Sequence, residues 1–406
     1  MKTDDNLKLY QKTVSAQSYW PYITAPTLFL GASNDFNSPT ELIIKSMNLL
    51  PSKTTSALAL APHLNHRFTT GTNNARFYWM ESHLKNDFLF PANPNAELKL
   101  NNKNKIPFFS VTLDPKCKYE VDQVKIYYGF SRDPRIRFWR TAKARKNKNT
   151  YSAFLHIYDQ NEPLFAFANV TYKTGKTLPA RPGVPTSDLL TLSSNYFSIH
   201  PDELKKSGIK STSKNYRTLD DFTKGMQDWY ILGDNNPQHW FMSTRKVIDP
   251  SFMGPQNATL RIQLTQDTPG NSIAIGVKVN TWQGYTGRKP DEYVSLVDLS
   301  NKGKNIVSLK VEDFINKKGQ LMKNWDELTE LYFTPANKKN RKSKKWTGKM
   351  PKLHKIEWLG GLNTKLPYPH EKRNNLNSKG NISFDDQFQQ AIDDSVLLEK
   401  NDKNLN

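Results

Sequence analysis

From residue 98 to residue 361, short stretches of alternating apolar and polar side chains follow one another with turn residues between them. No other feature limits the fold as strongly. The first part holds "PFFSVTL", "QVKIYYGF", "RIRFWRTA", "TYSAFLHIY" and "LFAFANVTYKTG". The second holds "WYILG", "HWFMSTRKVID", "ATLRIQLTQ", "SIAIGVKVN", "EYVSLVDL", "NIVSLKV" and "ELYFTP". A period of two is that of a strand with one face buried. Many short strands with few helical patterns predict two β-sandwiches. The Pro- and Asn-rich "FLFPANPNAELKL" opens the first and the Pro/Gly-rich "TLPARPGVP" separates it from the second.

Residues 1–88 read differently. A helix is expected over 5–20, ended by Pro21 and Pro26. An apolar strand over 27–30 leads to a helix over 39–50 with Leu42, Ile43, Met47 and Leu50 on one face. The second strand, "TSALALAP", passes through the loop "HLNHRFTTGT" into a helix, "NNARFYWMESHLK", expected to turn Phe77, Met80 and Leu84 inward. This βαβα order implies parallel strands joined by right-handed crossovers. Ser38-Pro39-Thr40-Glu41 fits a capping box with Pro at the first helical position. Asp35, just before it, is then not needed to start the helix.

The expected organisation is therefore multidomain. An α/β segment spans 1–88, a sandwich of immunoglobulin or fibronectin type 89–180, and a jelly-roll sandwich 181–361. A polar, flexible tail spans 362–406, with one amphipathic stretch, "FDDQFQQAIDDSVLLEK".

Composition narrows the function classes. With 36% hydrophobic and 12% aromatic residues the chain is rich enough to fold. Cys117 is the only cysteine, which excludes an intrachain disulfide or a thiolate metal cluster. The start, "MKTDDNLKLY", is not a signal peptide, and no stretch reaches the ~18 apolar residues of a membrane span. Taken literally, this predicts a cytoplasmic protein without a membrane span.

The net charge of +20 sits mainly in residues 101–200, with 16 basic against 7 acidic, and 301–406, with 21 against 13. Its densest clusters, "RDPRIRFWRTAKARKNK" and "NKKNRKSKKWTGKMPKLHK", read first as solvated loops. Nucleic-acid binding is not expected, because no reader motif accompanies them.

In an open α/β sheet the working residues gather at the carboxyl ends of the strands. Asp35 follows the first strand and His66 the second, so the crossover brings both to one edge. A carboxylate there can accept the imidazole Nδ1–H, fix the tautomer and stabilise the imidazolium. This is the acid-and-histidine part of a serine relay, in the chain order nucleophile, acid, histidine.

"APTLFLGASNDFNSP" followed by "ALAPHLNHRF" resembles the last two strands of an α/β-hydrolase of the dienelactone-hydrolase and acetylxylan-esterase-like kind. The resemblance implies that Asp35 pairs with His66, that no metal or cofactor is used, and that the substrate is a carbohydrate-linked or small carboxylic ester. It also implies an extracellular or periplasmic location. "VKIYYGFSRDPRIRFWR" resembles the immunoglobulin-like appendage of such secreted enzymes. The "DWYILG…STRKVIDPSFMGP…WDELTELYF" block is similar to galactose-binding-like carbohydrate modules.

The nucleophile is missing, since no G-x-S-x-G occurs in the sequence. Gly129-Phe130-Ser131, Gly31-Ala32-Ser33 and Gly270-Asn271-Ser272 all lack the second Gly. Two parallel strands also make no stable sheet alone. The expectation is the C-terminal portion of a larger serine esterase, its upstream half encoded elsewhere. The alternative is a non-catalytic carbohydrate-binding protein with a vestigial hydrolase segment.

His63 competes with His66 for the histidine role, and His63–His66 as a metal pair lacks a third ligand. Among Trp229, Trp240, Trp282, Tyr285, Trp346 and Trp358, the Gly-punctuated loop carrying Trp282 and Tyr285 is the best candidate sugar platform. Trp139 and Trp325 read as core. Arg135, Arg137 and Arg140 read as a solvated strand face.

Overall fold

The computed structural model describes residues 5–179, 185–233, 239–282, 289–336 and 346–362. They fall into two units. The first runs to Gly129 and includes Trp139–Leu155 and Pro163–Ile209. The second comprises Phe130–Phe138, His156–Glu162 and the residues from Lys210 onward.

The first unit opens with α1 (Asp5–Thr13), which gives way to two 3-10 turns, Ala16–Ser18 and Trp20–Tyr22, instead of continuing to residue 20. Then come β1 (Thr27–Ala32), α2 (Thr40–Asn48), β2 (Ser56–Ala61) and α3 (Thr70–Met80). A single π-helical turn, Glu81–Lys85, continues α3. β1 and β2 pair in parallel from Thr27↔Ser56 to Ala32↔Ala61. Gly31 lets α2 approach, because a Cβ there would lie 2.6 Å from Ile43 Cδ1.

Two local expectations fail for identifiable reasons. The capping box does not form: Pro39 is the N-cap residue of α2 and no side chain caps it. Glu41, the residue expected to reach back, instead accepts a 2.8 Å hydrogen bond from the Tyr196 hydroxyl. Of the inward face expected for α3, Phe77 packs partly buried against the core, but Met80 is 54% and Leu84 75% exposed. Gly71, Thr72, Asn74, Ala75, Tyr78 and Trp79 are the buried residues. That face is close-fitting and hydrogen-bonded rather than oily. Asn74 Nδ2 donates to the Leu189 carbonyl at 3.0 Å and the Tyr78 hydroxyl to the Lys176 carbonyl at 2.6 Å. A Cβ at Gly71 would sit 2.2 Å from Thr191 Oγ1.

Nine strands complete this unit: β3 (Asn95–Lys99), β4 (Phe108–Thr112), β5 (Glu120–Gly129), β6 (Trp139–Ala142), β7 (Arg145–Asn147), β8 (Thr150–Phe154), β9 (Leu164–Leu178), β10 (Ser187–Ser193) and β11 (Phe197–Ile199). The short α4 (Pro201–Lys206) follows them. One sheet runs β3-β4-β8-β7. The other runs β10-β9-β5-β6, with β11 also on β9. Phe109 of β4 meets Phe197 of β11 edge-on at 5.7 Å, joining the sheets into a sandwich.

The two-stranded sheet solves its edge problem with side chains. Leu58 N–H donates to Asn93 Oδ1, and Asn93 Nδ2 donates back to the Leu58 carbonyl at 2.9 Å. Leu60 N–H donates to Ser193 Oγ at 2.8 Å, and Asn169 Nδ2 donates to the Leu60 carbonyl at 2.9 Å. Backbone groups of β2 that would otherwise be buried unpaired thus find partners on β9, β10 and the junction before β3.

In the second unit the strands are β12 (Thr218–Asp220), β13 (Tyr230–Leu232), β14 (Phe241–Thr244), β15 (Thr259–Gln266), β16 (Asn271–Val279), β17 (Asp291–Leu299), β18 (Gly303–Leu309), β19 (Ile315–Asn316), β20 (Leu328–Pro335) and β21 (Lys352–Leu359). They form an antiparallel sheet β12-β21-β15-β18 and a six-stranded sheet β13-β14-β20-β16-β17-β19. Leu260, Ile262 and Ile356 of the first and Ile273, Ile275 and Phe333 of the second share one core. This is a β-sandwich. Trp229, Trp240, Trp325, Trp346 and Trp358 belong to that core, and Trp139 is fully buried in the first unit. Among the described residues no helix is long and apolar enough to cross a membrane.

The arginines are a further correction. Arg135, Arg137 and Arg140 are 6%, 1% and 7% exposed, so none lies on a solvated face. Arg135 grips Asp133 through Nε at 2.9 and 3.0 Å and through Nη2. Arg137 Nε donates to the Ser131 carbonyl at 2.9 Å, and the Arg140 guanidinium lies 5.6 Å from the Tyr128 ring centre. Internal partners stand where water would otherwise solvate these groups.

Candidate functional site

The parallel register ends both strands at one edge, Ala32 opposite Ala61. Backbone and side-chain bonds zip the two following loops together. Ser33 N–H donates to the Ala61 carbonyl at 2.8 Å, Asn34 N–H to the Leu64 carbonyl at 3.0 Å, and His63 N–H to Ser33 Oγ at 2.9 Å. Ser33 is fully buried and its hydroxyl serves this joint. It is a structural residue.

Asp35, 5% exposed, is held from two sides. Its Oδ1 accepts the backbone N–H of Asn37 at 2.8 Å and of Ser38 at 3.2 Å, an Asx-type turn. Its Oδ2 lies 2.6 Å from His66 Nδ1. The backbone bonds fix the plane of the carboxylate and leave one oxygen aimed at the imidazole. His66 takes the left-handed region, φ 52°, which swings its ring back over the loop.

The other ring nitrogen also has a partner. Asn37 Nδ2 donates to His66 Nε2 at 2.6 Å. Phe36 lies beside the ring, with centres 6.2 Å apart. The His66 side chain is 55% exposed, against 7% for that of Asp35. The site is thus a buried anchor with an open imidazole. Asp35 and His66 are brought together, whereas His63 packs edge-on against Tyr127 at 6.0 Å. Among the described residues no group of three or more His, Cys, Asp or Glu side chains gathers to hold a metal.

The sequence reading missed Asn37. Its one signal was the spacing Asp-x-Asn, which an Asx turn makes compact. Two of the partial serine motifs have their hydroxyls committed elsewhere: Ser33 to the loop joint, and Ser272, whose hydroxyl donates to Asp298.

In the second unit, Trp282 stands at φ 61° with the Arg135 guanidinium 4.5 Å from its ring centre. One face of that ring is therefore taken by a cation. Tyr285 lies outside the described residues. A separate cleft of about 1040 Å³ follows β17, lined by Glu292, Leu296, Asp298, Asp313, Asn316 and Tyr332 among others. β19 pairs with β17 only at Tyr293 and Val294, so among the described residues the edge from Ser295 to Leu299 has no strand beside it. Burial drives the Tyr332 hydroxyl well above the usual phenol range, so it stays protonated. No sequence signal marked this cleft, because the fold brings residues 292–298, 308–317 and Tyr332 together around it.

No family model matches the chain, and no curated protein matches it. Among solved structures, a family 11 carbohydrate-binding module from Clostridium thermocellum, in complex with a β-1,3-1,4-mixed-linked tetrasaccharide, is similar over 37% of this chain and 99% of its own. The identity is 10% and the TM-score 0.22. A structure titled for the promiscuous specificity of carbohydrate-binding modules of the β-sandwich superfamily is similar over 67% of this chain and 100% of its own, at 8% identity and TM-score 0.19. Overlaps of that quality carry no argument about what this chain does.

Proposed function

We propose that the chain carries the acid and the histidine of a serine-type acyl-transfer site acting outside the cell on a carbohydrate-linked or small carboxylic ester, with the nucleophile supplied by a polypeptide beyond this sequence. The observation behind this reading is the 2.6 Å contact of Asp35 Oδ2 with His66 Nδ1, with Asp35 itself anchored by two backbone N–H groups. In the complete site a serine hydroxyl attacks the ester carbonyl while His66 Nε2 takes its proton. Asp35 holds the imidazolium. Collapse of the tetrahedral intermediate expels the alcohol, which leaves with that proton. Water then repeats the cycle on the acyl-enzyme.

Alone, the chain is expected to give no fluorophosphonate adduct. A stoichiometric adduct on the purified chain overturns the reading. Co-expression with an upstream-encoded polypeptide carrying G-x-S-x-G is expected to yield esterase activity that Asp35→Asn and His66→Ala each reduce by about 10³-fold or more. Activity indifferent to both substitutions would also overturn it.

A second reading, a carbohydrate-holding protein without catalysis, is favoured by the cleft along β17. Its carboxylates, amide and apolar side chains suit a hydroxyl-rich chain better than an anion. Affinity electrophoresis on xylan and pectin tests it. Retardation lost on Glu292→Ala supports this reading, and free migration on every glycan counts against it.

A further inference from the structure

Asn37 sits on the same short loop as Asp35, and the two residues hold the His66 ring at both nitrogens. Nδ1–H donates to Asp35 Oδ2 and Nε2 accepts from Asn37 Nδ2, each at 2.6 Å. The backbone N–H of Asn37 is itself bound to Asp35 Oδ1 at 2.8 Å. One tautomer satisfies this arrangement, the neutral imidazole with its proton on Nδ1. A primary amide cannot give up a proton to imidazole, so the contact is a dead end for proton transfer. It nevertheless lies where an O–H donor would have to lie. Asn37 is exposed, as is the imidazole, so neither is locked by surrounding packing.

We propose that Asn37 is a removable plug on His66: its amide occupies Nε2 and presets the accepting tautomer, and the ring becomes available only when a hydroxyl-bearing group displaces that amide. This rests on the reading of Asp35 and His66 as half of a relay, and it makes Asn37 a positioning residue, not a catalytic one. An exposed neutral hydrogen bond restrains such a ring only modestly. The plug therefore leaves easily, as a placeholder must.

Diethyl pyrocarbonate, which acylates an unprotonated and unengaged imidazole nitrogen, tests this on the intact chain. Acylation is followed by peptide mass spectrometry, with His354 as internal reference. Asn37→Ala is expected to speed acylation of His66 about three- to tenfold relative to His354. Asn37→Asp is expected to slow it, because a carboxylate facing Nε2 recruits a second proton. Long-range ¹⁵N–¹H spectra of that variant should show both His66 nitrogens protonated at neutral pH, a change that a merely structural residue would not cause. Acylation in Asn37→Ala within twofold of the parent overturns the proposal, as does an unchanged neutral tautomer in Asn37→Asp. Circular dichroism verifies that both variants fold. Neither readout needs a nucleophile or an ester, so it fails or succeeds independently of the co-expression experiment.

Discussion

Asp133 is fully buried, and Arg135 meets it with a bidentate fork. Removing one member of such a pair leaves a charge stranded where water cannot reach it. Arg135→Ala is therefore expected to cost about 3–5 kcal/mol in urea unfolding, and Asp133→Ala combined with Arg135→Ala to recover much of that loss. A single-variant cost under about 1 kcal/mol would mean the site relaxes into solvent. Nothing in the local pattern hints at this burial. Period-two spacing says which arginines share a side of the chain, not whether that side faces water. Asp35 and His66 were easier to place, because parallel strands joined by a crossover leave their following loops nowhere else to go. Asn37 is harder to place: the Asp-x-Asn spacing marks a turn, but nothing in it says that the amide will reach a ring 29 residues away.

Elements show the same division. The two strands and their parallel pairing could be read from apolar runs bounded by loops. The surface against which β2 closes could not, because it is built from amides and hydroxyls that fit no hydrophobic period. Asn169 donates to the Leu60 carbonyl and accepts from the Ser193 hydroxyl. Asn169→Ala should leave both buried groups wanting and lower stability by about 1–3 kcal/mol, measured as a shift in the urea midpoint. The π-helical turn after α3 carries a pH-dependent tie. Hydrogen bonds from Lys176 and Lys85 hold the Glu81 carboxyl down at about 2, from an ordinary 4.5. A depressed carboxylate stabilises the fold above its unfolded value, and that contribution fades as pH falls through the folded one. Glu81→Gln should therefore melt below the parent at neutral pH. The two melting curves should draw together between pH 4.5 and 2, and a gap that stayed constant across that range would refute the tie.

On the scale of the whole molecule, two sandwiches were legible because alternation over some 260 residues admits few other folds. The charge is a coarser guide. A net +20 predicts attraction to polyanions, yet Arg135, Arg137 and Arg140 in one dense basic cluster face inward. Attraction by exposed charge is long-range and dies with screening: the Debye length is about 10 Å at 0.1 M salt and about 3 Å at 1 M. Binding in the cleft along β17 would rest on hydrogen bonds and apolar contact, which salt hardly weakens. Retention on a sulfated matrix is thus expected at about 0.05 M NaCl and lost by about 0.5 M, with Glu292→Ala making no difference. Retention on neutral xylan should be the same at both salt concentrations and fall with Glu292→Ala. If xylan retention instead collapsed with salt alongside the sulfated matrix, the cleft would have no part in it, and the attraction would belong to the charge of the surface as a whole.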